Sequence, residues 1–159
     1  MKKARYLINF GIENAESIPE IGTNAKMNEF EAAMGLCMLD EMEEIKKSRK
    51  KVFEYYKSNL DGFVLFQQLN NDATINYSYF PILLQDELVL KKVQRSLNNY
   101  DIFPRRYFYP SLDTLSYIKP NQLCQNSRDI SSRILCLPIF PELREEQQQH
   151  IIQTIVTAL

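Results

Sequence analysis

A long helical repeat in the first half of this 159-residue chain constrains its fold more than any other feature. Asn28, with Glu31 three residues later, forms an N-cap and capping-box pattern. Asp61 and Gly62 end the repeat. Between them, apolar side chains recur every three, four or seven residues, at Phe30, Met34, Met38, Met42, Ile45, Val52, Tyr56 and Leu60. The pattern predicts one long helix that bends near Ser48.

Shorter segments with strand and helix patterns follow the long helix. Phe63 to Leu69 and Tyr77 to Leu84 are β-branched and aromatic runs separated by turn residues, which predicts two strands. The other predicted elements are a helix at Asp86 to Asn99, a strand at Ile102 to Tyr109, an irregular stretch through Pro110 to Pro120, a helix from about Gln122 to Ser132, a strand at Arg133 to Ile139 and a helix at Glu142 to Ala158. This order predicts an α+β fold, with a small, mainly antiparallel sheet covered by helices. Met1 to Ile21 lack a clear period and are expected to form a connector.

Charge and hydropathy exclude several classes of protein. Lys and Arg number 19 against 20 Asp and Glu, a formal charge of -1, so no bulk field attracts nucleic acid or an anionic membrane. No apolar run approaches the roughly 18 residues of a membrane span, and the basic N-terminal stretch has no signal-peptide core. The cysteines are odd in number, lack metal-ligand spacing and lie in apolar stretches where a buried thiol is expected: Cys37, Cys124 and Cys136. We expect a cytoplasmic protein without a metal site.

The residues alone do not assign a catalytic group. The single histidine, His150, lies in a polar run of the last helix and is predicted to be solvated. Glu41, Glu43 and Glu44 alternate with basic residues, as on an exposed helix face. None of the four glycines lies in a phosphate-loop motif.

Two segments could bind an anion or a polar ligand. Gly22, Asn24 and Lys26 precede the capped helix, where amide groups and short polar side chains can hold an anion. An ordinary helix start is the alternative. The second segment, around Pro110, places cationic and aromatic side chains together at Arg105, Arg106, Tyr107 and Tyr109. Here the alternative is an edge strand whose Arg and Tyr side chains pack outward.

Three stretches carry a resemblance to a known family. Gly22 to Leu39 contains matching residues at Gly22, Asn24, Lys26, Met27, Ala32, Ala33 and Gly35. Tyr109 to Asp113 reads YPSLD, and Ser131 to Leu143 reads SSRILCLPIFPEL. In this order they resemble the signature, the substrate loop and the late strand of the DegT/DnrJ/EryC1/StrS family of sugar aminotransferases, which depend on pyridoxal phosphate (PLP). The similarity runs from about Leu7 onward.

The resemblance implies the small C-terminal domain of a fold-type I PLP-dependent aminotransferase. Residues 22–159 would form that domain, and residues 1–21 the connector from a missing large PLP-binding domain. The implied reaction moves an amino group from glutamate or a similar donor to a nucleotide-linked keto sugar, in deoxyamino-sugar or polysaccharide biosynthesis. In the implied homodimer, Asn24 reaches the cofactor phosphate of the partner subunit, with Lys26 beside it. The resemblance places at the sugar nucleotide Arg105, Arg106, Tyr107 and Tyr109.

The family's cofactor-binding lysine is not expected in this chain. None of its lysines stands in the serine- and histidine-containing context of that residue, so Met1 is interpreted as a truncated or mispredicted start, and the chain alone is expected to be inactive. Met34, Met38 and Tyr6 would then be uncovered and favour self-association. Glu31 stands where the family commonly has glutamine and is expected to face away from the phosphate. A non-catalytic module for sugar-nucleotide binding or dimerisation, and a related PLP-dependent sugar dehydratase, remain alternatives.

Overall fold

The computed structural model describes residues 1–118 and 123–159, in two units, Met1–Met42 and Glu43–Leu159. The predicted boundary between connector and domain, after residue 21, falls inside the first unit and stays a prediction. The described residues contain a 3-10 turn at Leu112–Thr114 and six α-helices: α1 (Lys2–Leu7), α2 (Glu29–Asp40), α3 (Met42–Leu60), α4 (Glu87–Asn98), α5 (Gln125–Arg133) and α6 (Glu145–Ala158). None of these helices combines the length and the apolar composition that a membrane crossing requires.

A three-stranded antiparallel sheet forms the centre of the second unit. Its strands are β1 (Leu65–Phe66), β2 (Phe80–Leu83) and β3 (Ile134–Leu137), and they pair in that order. Ile82 on β2 pairs with Phe66 on one side and with Leu135 on the other. The α+β class and the mainly antiparallel sheet are confirmed, although each strand is shorter than its predicted run.

The hydrophobic core lies between one face of this sheet and the helices of the same unit. Alternation on β2 turns Phe80 and Ile82 into the core while Pro81 and Leu83 face the other way. The helices bury the apolar side chains that recur at helical spacing: Val52, Tyr56 and Leu60 on α3, Leu90, Val93 and Leu97 on α4, and Ile151, Ile152, Ile155 and Ala158 on α6. The core therefore fixes α3, α4 and α6 against a single sheet face.

The predicted long helix is two helices, α2 and α3, and the bend near Ser48 stays a prediction. The two helices are separated by Glu41, a turn residue that caps α2, and Ser48 lies within α3. The Ser48 hydroxyl donates to the carbonyl of Pro141, 2.7 Å away, instead of disturbing its own helix. Only the second half of the apolar stripe is buried. Its first half is exposed, at Phe30, Met34, Met38 and Met42.

The strand predicted at Ile102 to Tyr109 is also wrong. That segment is a loop with one bridge to the sheet, in which the Arg105 amide donates to the Cys136 carbonyl at 3.2 Å and the Cys136 amide returns the bond at 2.8 Å. Pro104, immediately before it, has no amide hydrogen to extend the ladder.

Smaller differences concern the ends of elements. The predicted connector contains α1, a helix too short to show a period. The predicted helix start at Gln122, and Pro120 at the end of the irregular stretch, lie outside the described residues. Tyr6, expected to be uncovered, is half-buried, and its hydroxyl donates to Glu13.

Candidate functional site

A closed loop places the first predicted site segment. The Thr23 amide donates to the Leu7 carbonyl at 2.8 Å, and the Ala25 amide donates to the Ile8 carbonyl at 2.9 Å. The Phe10 amide donates to the Thr23 carbonyl at 3.1 Å. These bonds close an antiparallel bridge between Asn9 and Asn24. The N-terminal stretch is therefore hydrogen-bonded to the segment that contains Asn24.

Two glycines allow the backbones of this loop to meet. A Cβ atom at Gly22 would lie 2.2 Å from the Gly11 nitrogen and 2.6 Å from the Leu7 carbonyl oxygen. Gly11 has φ +81°, and its own Cβ would overlap the Glu20 carbonyl at 1.7 Å. The close approach gives Gly22, the first residue of the signature stretch, a steric reason to be glycine.

Asn24 and Lys26 are both exposed at the end of this crossing. The Lys26 ammonium lies 5.4 Å from the centroid of the Phe10 ring, and no carboxylate of the described residues forms an ion pair with it. An accessible amide and an accessible ammonium suit a phosphate, because both donate hydrogen bonds and the ammonium adds charge. The residues present therefore fit the phosphate of the cofactor that the resemblance implies.

The start of α2 is a complete capping box. The Asn28 side chain accepts from the Glu31 amide at 2.9 Å, and the Glu31 carboxylate accepts from the Asn28 amide at 3.0 Å. The predicted cap is confirmed. Because these two amides are already bonded, an anion at this place would depend on the side chains of Asn24 and Lys26 more than on the helix amides.

Arg105 and Tyr107 form a pair in the second predicted site segment. The Arg105 guanidinium is exposed and donates to the Tyr107 hydroxyl at 3.0 Å. The Tyr107 ring meets Tyr79 edge-on, with centroids 5.5 Å apart. It also lines a groove of about 480 Å³ on the sheet face opposite the core, above Pro81 and Cys136. Arg105 thus offers a solvent-exposed guanidinium beside an aromatic groove.

Arg106 is placed quite differently from its neighbour. Its side chain is 14% exposed and forms an ion pair with Glu87, the first residue of α4, at 3.2 Å. It also donates to the carbonyls of Ser131 and Ser132, at 3.3 and 2.7 Å. The guanidinium carbon lies 3.6 Å from the centroid of the Tyr109 ring. Arg106 is therefore engaged inside the fold.

A second ion pair, which the sequence did not single out and of which only the carboxylate is buried, fixes the loop after Tyr109. The Asp113 side chain is 5% exposed and accepts from the Arg128 guanidinium at 2.8 Å. It also accepts from the Ser111 hydroxyl at 2.5 Å and from the Cys124 amide at 3.0 Å. The Ser111 bond, followed by those of Cys124 and Arg128, holds the pKa of the Asp113 carboxyl below its usual range.

The predicted site residues fall into two groups. Asn24 and Lys26 belong to the first unit, and the four residues of the second segment belong to the second unit. His150 is exposed on α6, as predicted, and its ring meets Tyr100 edge-on at 4.6 Å.

Comparison with known proteins decides the family. The DegT/DnrJ/EryC1/StrS aminotransferase family matches residues 1–156. The chain belongs to this family. The dTDP-4-amino-4,6-dideoxy-D-glucose transaminase of Shigella dysenteriae is 34% identical to it over 161 residues, which cover 97% of the chain and 44% of that protein. The GDP-perosamine synthase of Escherichia coli O157:H7 is 27% identical over 135 residues, covering 85% of the chain and 37% of that protein.

Solved structures of the family share this fold. The structure of DesI in the presence of its TDP-sugar product superimposes with a TM-score of 0.84 at 25% identity, covering 96% of this chain and 41% of that one. The resemblance drawn from the three sequence stretches is thus confirmed, as is the fold class that it implied. The chain spans less than half the length of the relatives that it matches. As a member of the family it is related to PLP-dependent aminotransferases that act on sugars.

Proposed function

We propose that this chain is the C-terminal part of a PLP-dependent aminotransferase that acts on a nucleotide-linked keto sugar. The observation that carries the proposal is the 34% identity, over nearly the whole chain, to a transaminase whose name specifies a dTDP-linked amino sugar. A synthase named for a GDP-linked amino sugar matches the same region. Both names specify an amino sugar attached to a nucleoside diphosphate, so we infer that substrate class.

Asn24 and Lys26 are the proposed contacts to the cofactor phosphate. When bound, PLP supplies the carbonyl that accepts an amino group from a donor and returns it to a keto sugar. The Asn24 amide would donate to the phosphate and the Lys26 ammonium would balance its charge. The hydrogen bonds from residues 23 and 25 to residues 7 and 8 hold the backbone of this segment before any ligand binds. We infer that the contact is offered to the partner subunit of a homodimer.

The second segment is the proposed contact to the sugar nucleotide. Arg105 is exposed, and a guanidinium pairs with the two phosphates of a nucleoside diphosphate more closely than a lysine does. Tyr107 and Tyr109 add aromatic surface and hydroxyl groups next to it. The amino donor is glutamate or a similar amino acid. Arg106 supports this segment from inside the fold, through its contacts with Glu87, α5 and the Tyr109 ring.

The lysine that binds PLP covalently is proposed to lie outside these 159 residues. The matched relatives are more than twice as long as the region they share with this chain, which leaves room for a large cofactor-binding domain. The isolated chain is then expected to lack transaminase activity, and the enzyme is expected in the cytoplasm.

Reconstitution with the missing domain tests the proposal. The DNA just upstream of this reading frame should encode a large domain with the cofactor-binding lysine. Co-expressed with that domain, the chain should convert dTDP-4-amino-4,6-dideoxy-D-glucose and 2-oxoglutarate to the keto sugar and glutamate. The amino group leaves the sugar and appears in glutamate, which a coupled assay measures. If no upstream domain is encoded and no co-expressed domain restores activity, the proposal is wrong.

A charge substitution tests the cofactor contact in the reconstituted enzyme. Asn24→Asp places a carboxylate next to the proposed position of the phosphate, and the two negative charges repel. The affinity for PLP should therefore fall about tenfold or more. Asn14→Asp is the matched control, because Asn14 is exposed at the turn of the same loop and its side-chain oxygen accepts from the Glu16 amide at 2.9 Å, which an aspartate can still do. Equal PLP retention in the two variants would remove Asn24 from the site.

Two measurements distinguish the alternatives. If calorimetry shows that the isolated chain binds a dTDP-sugar without any cofactor, and reconstitution fails, a non-catalytic sugar-nucleotide module is favoured. If the reconstituted enzyme removes a sugar hydroxyl as water and forms no glutamate, a dehydratase is favoured.

A further inference from the structure

Arg106 joins three parts of the second unit. Its terminal nitrogen Nη2 donates to the carbonyls of Ser131 and Ser132, in the last turn of α5, at 3.3 and 2.7 Å. The same nitrogen lies 3.2 Å from the carboxylate of Glu87 at the start of α4. A cation at a helix C-terminus and a carboxylate at a helix N-terminus both complement the helix dipoles. The guanidinium is thus held in one place by two helices.

The plane of this guanidinium supports Tyr109. The guanidinium carbon lies 3.6 Å from the centre of the Tyr109 ring, which is the distance of direct stacking. Tyr109 itself is 50% exposed, so one face of its ring is covered and the rest is open to solvent. A tyrosine on a surface loop would otherwise sample several rotamers. Arg106 therefore restricts the orientation of Tyr109.

The neighbouring Arg105 forms neither the ion pair nor the carbonyl contacts of Arg106. Its guanidinium is exposed and contacts Tyr107 alone among the side chains of the described residues, by a hydrogen bond to the hydroxyl and at 5.8 Å from the ring centroid. The Arg106 nitrogen Nε, in contrast, is buried without a hydrogen-bond partner in the described part of the chain. A phosphate could contact the exposed Arg105 guanidinium directly, whereas contact with Arg106 would require breaking its bonds to Glu87 and α5.

We propose that Arg106 is a positioning residue, which holds Tyr109 in a fixed orientation at the sugar-nucleotide loop, and that Arg105 alone of the two offers its guanidinium to the substrate phosphates. The inference rests on the proposed function for the identity of the ligand, and it rests on the contacts of this chain for the role of Arg106. Arg106 is one of the four residues that the resemblance placed at the sugar nucleotide, and the proposal gives it a different role.

A tryptophan reporter tests the contact directly, because the chain contains no tryptophan. In Tyr109→Trp, the indole should stack on Arg106 and be partly shielded from acrylamide. Adding Arg106→Lys keeps the charge but removes the planar fork, so the quenching constant should rise about twofold as the covered ring face is released. Adding Arg105→Lys is the matched control, and it should leave the quenching constant of the indole unchanged.

Two further measurements separate positioning from a general loss of structure. Far-UV circular dichroism of the Arg106→Lys variant should match that of its parent, and hydrogen exchange should increase in residues 107–118 of the chain that retains Tyr109. If Arg106→Lys does not fold, Glu87→Gln takes its place, because it loosens the same guanidinium from one side only. An increase in quenching in Glu87→Gln then supports the proposal.

Unchanged quenching of the indole in a folded Arg106→Lys variant, or in Glu87→Gln where Arg106→Lys does not fold, would overturn the proposal. So would equal quenching in the Arg105→Lys and Arg106→Lys variants. None of these readouts involves PLP or a sugar nucleotide, so a failed reconstitution of transaminase activity would leave this result standing, and the two proposals can fail independently.

Discussion

Gly22 packs directly on the backbone of Gly11, so closely that a methyl group at position 22 would come within 2.2 Å of the Gly11 nitrogen. The contact closes the loop that presents Asn24, because the amides of Thr23 and Ala25 reach the carbonyls of Leu7 and Ile8 only when the two segments touch. A side chain at position 22 cannot be accommodated by rotating another side chain, since the atoms in its way are backbone atoms.

Gly22→Ala should therefore open this loop. The amides of Phe10, Thr23 and Ala25 are hydrogen-bonded across it, and we expect them to exchange with deuterium at least about tenfold faster in the variant, which corresponds to a local loss of about 1.4 kcal/mol. Hydrogen exchange measured by NMR checks this.

Gly35→Ala is the matched control for that experiment. Gly35 lies within α2, and no heavy atom lies within 4 Å of the position of its missing Cβ. Alanine is favoured over glycine in a helix by about 0.5–1 kcal/mol, so this variant should keep the loop closed and α2 intact. Unchanged exchange in Gly22→Ala would show that the loop does not depend on the glycine contact.

The apolar surface of α2 should cause the isolated chain to associate. None of its side chains is buried, and Phe30 and Met34 are 89% and 64% exposed on adjacent turns. Clustered apolar surface of this kind marks an interaction site. Sedimentation velocity should show dimers or larger species, and the double variant Phe30→Glu/Met34→Glu should be monomeric.

A single apolar residue elsewhere provides the control for this association. Leu88 is 79% exposed on α4, so Leu88→Glu changes hydrophobicity and charge at an isolated position. We expect it to associate like the unmodified chain. A monomeric unmodified chain at high concentration would contradict the prediction.

Local signals in the sequence predicted the parts of the fold that depend on near neighbours. The capping box of Asn28 and Glu31 needs only four consecutive residues, and the structure reproduces it bond for bond. The helix end at Asp61 and Gly62 is similarly local. The helix at Asp86 to Asn99 was also predicted almost to the residue, because Asp86 caps it.

Contacts between distant residues could not be predicted in this way. The apolar stripe looked continuous from Phe30 to Leu60, but whether a stripe is buried depends on what lies opposite it, and the core of the second unit buries Val52, Tyr56 and Leu60 of α3. Arg105 and Arg106 are adjacent and chemically identical. What separates their roles is Glu87 and the end of α5, which lie 19 and about 25 residues away in the chain.

The three cysteines should differ sharply in reactivity. Sequence context suggested that all were buried, but Cys37 and Cys124 are exposed and only Cys136 is buried. Burial raises the pKa of the Cys136 thiol, which lowers its content of reactive thiolate at neutral pH. In the native chain, iodoacetamide should label Cys37 and Cys124 first, as followed by peptide mass spectrometry. Rapid labelling of Cys136 would show that the sheet opens on that timescale.

The buried Asp113 carboxylate should make stability depend on acidic pH. Because hydrogen bonds and Arg128 lower the pKa of Asp113 in the folded chain, the unfolded chain binds more protons as the pH falls through the carboxylate range. The contribution of Asp113 is therefore present above a pH of about 4 and is lost below it. Asp113→Asn places an amide nitrogen against one of three donors, so this variant should be less stable at pH 7.

Urea unfolding at a series of pH values measures this contribution. The difference in midpoint between the unmodified chain and Asp113→Asn should be large at pH 7 and should shrink as the pH falls below about 4, because protonation then leaves the unmodified chain, like the variant, without a charged carboxylate at position 113. Asp72→Asn changes an exposed carboxylate in the turn after Asn70 and should follow the unmodified chain throughout. A difference between Asp113→Asn and the unmodified chain that stays constant across this range would mean that the network stabilises the loop through shape and hydrogen-bond count, and not through the charge of Asp113.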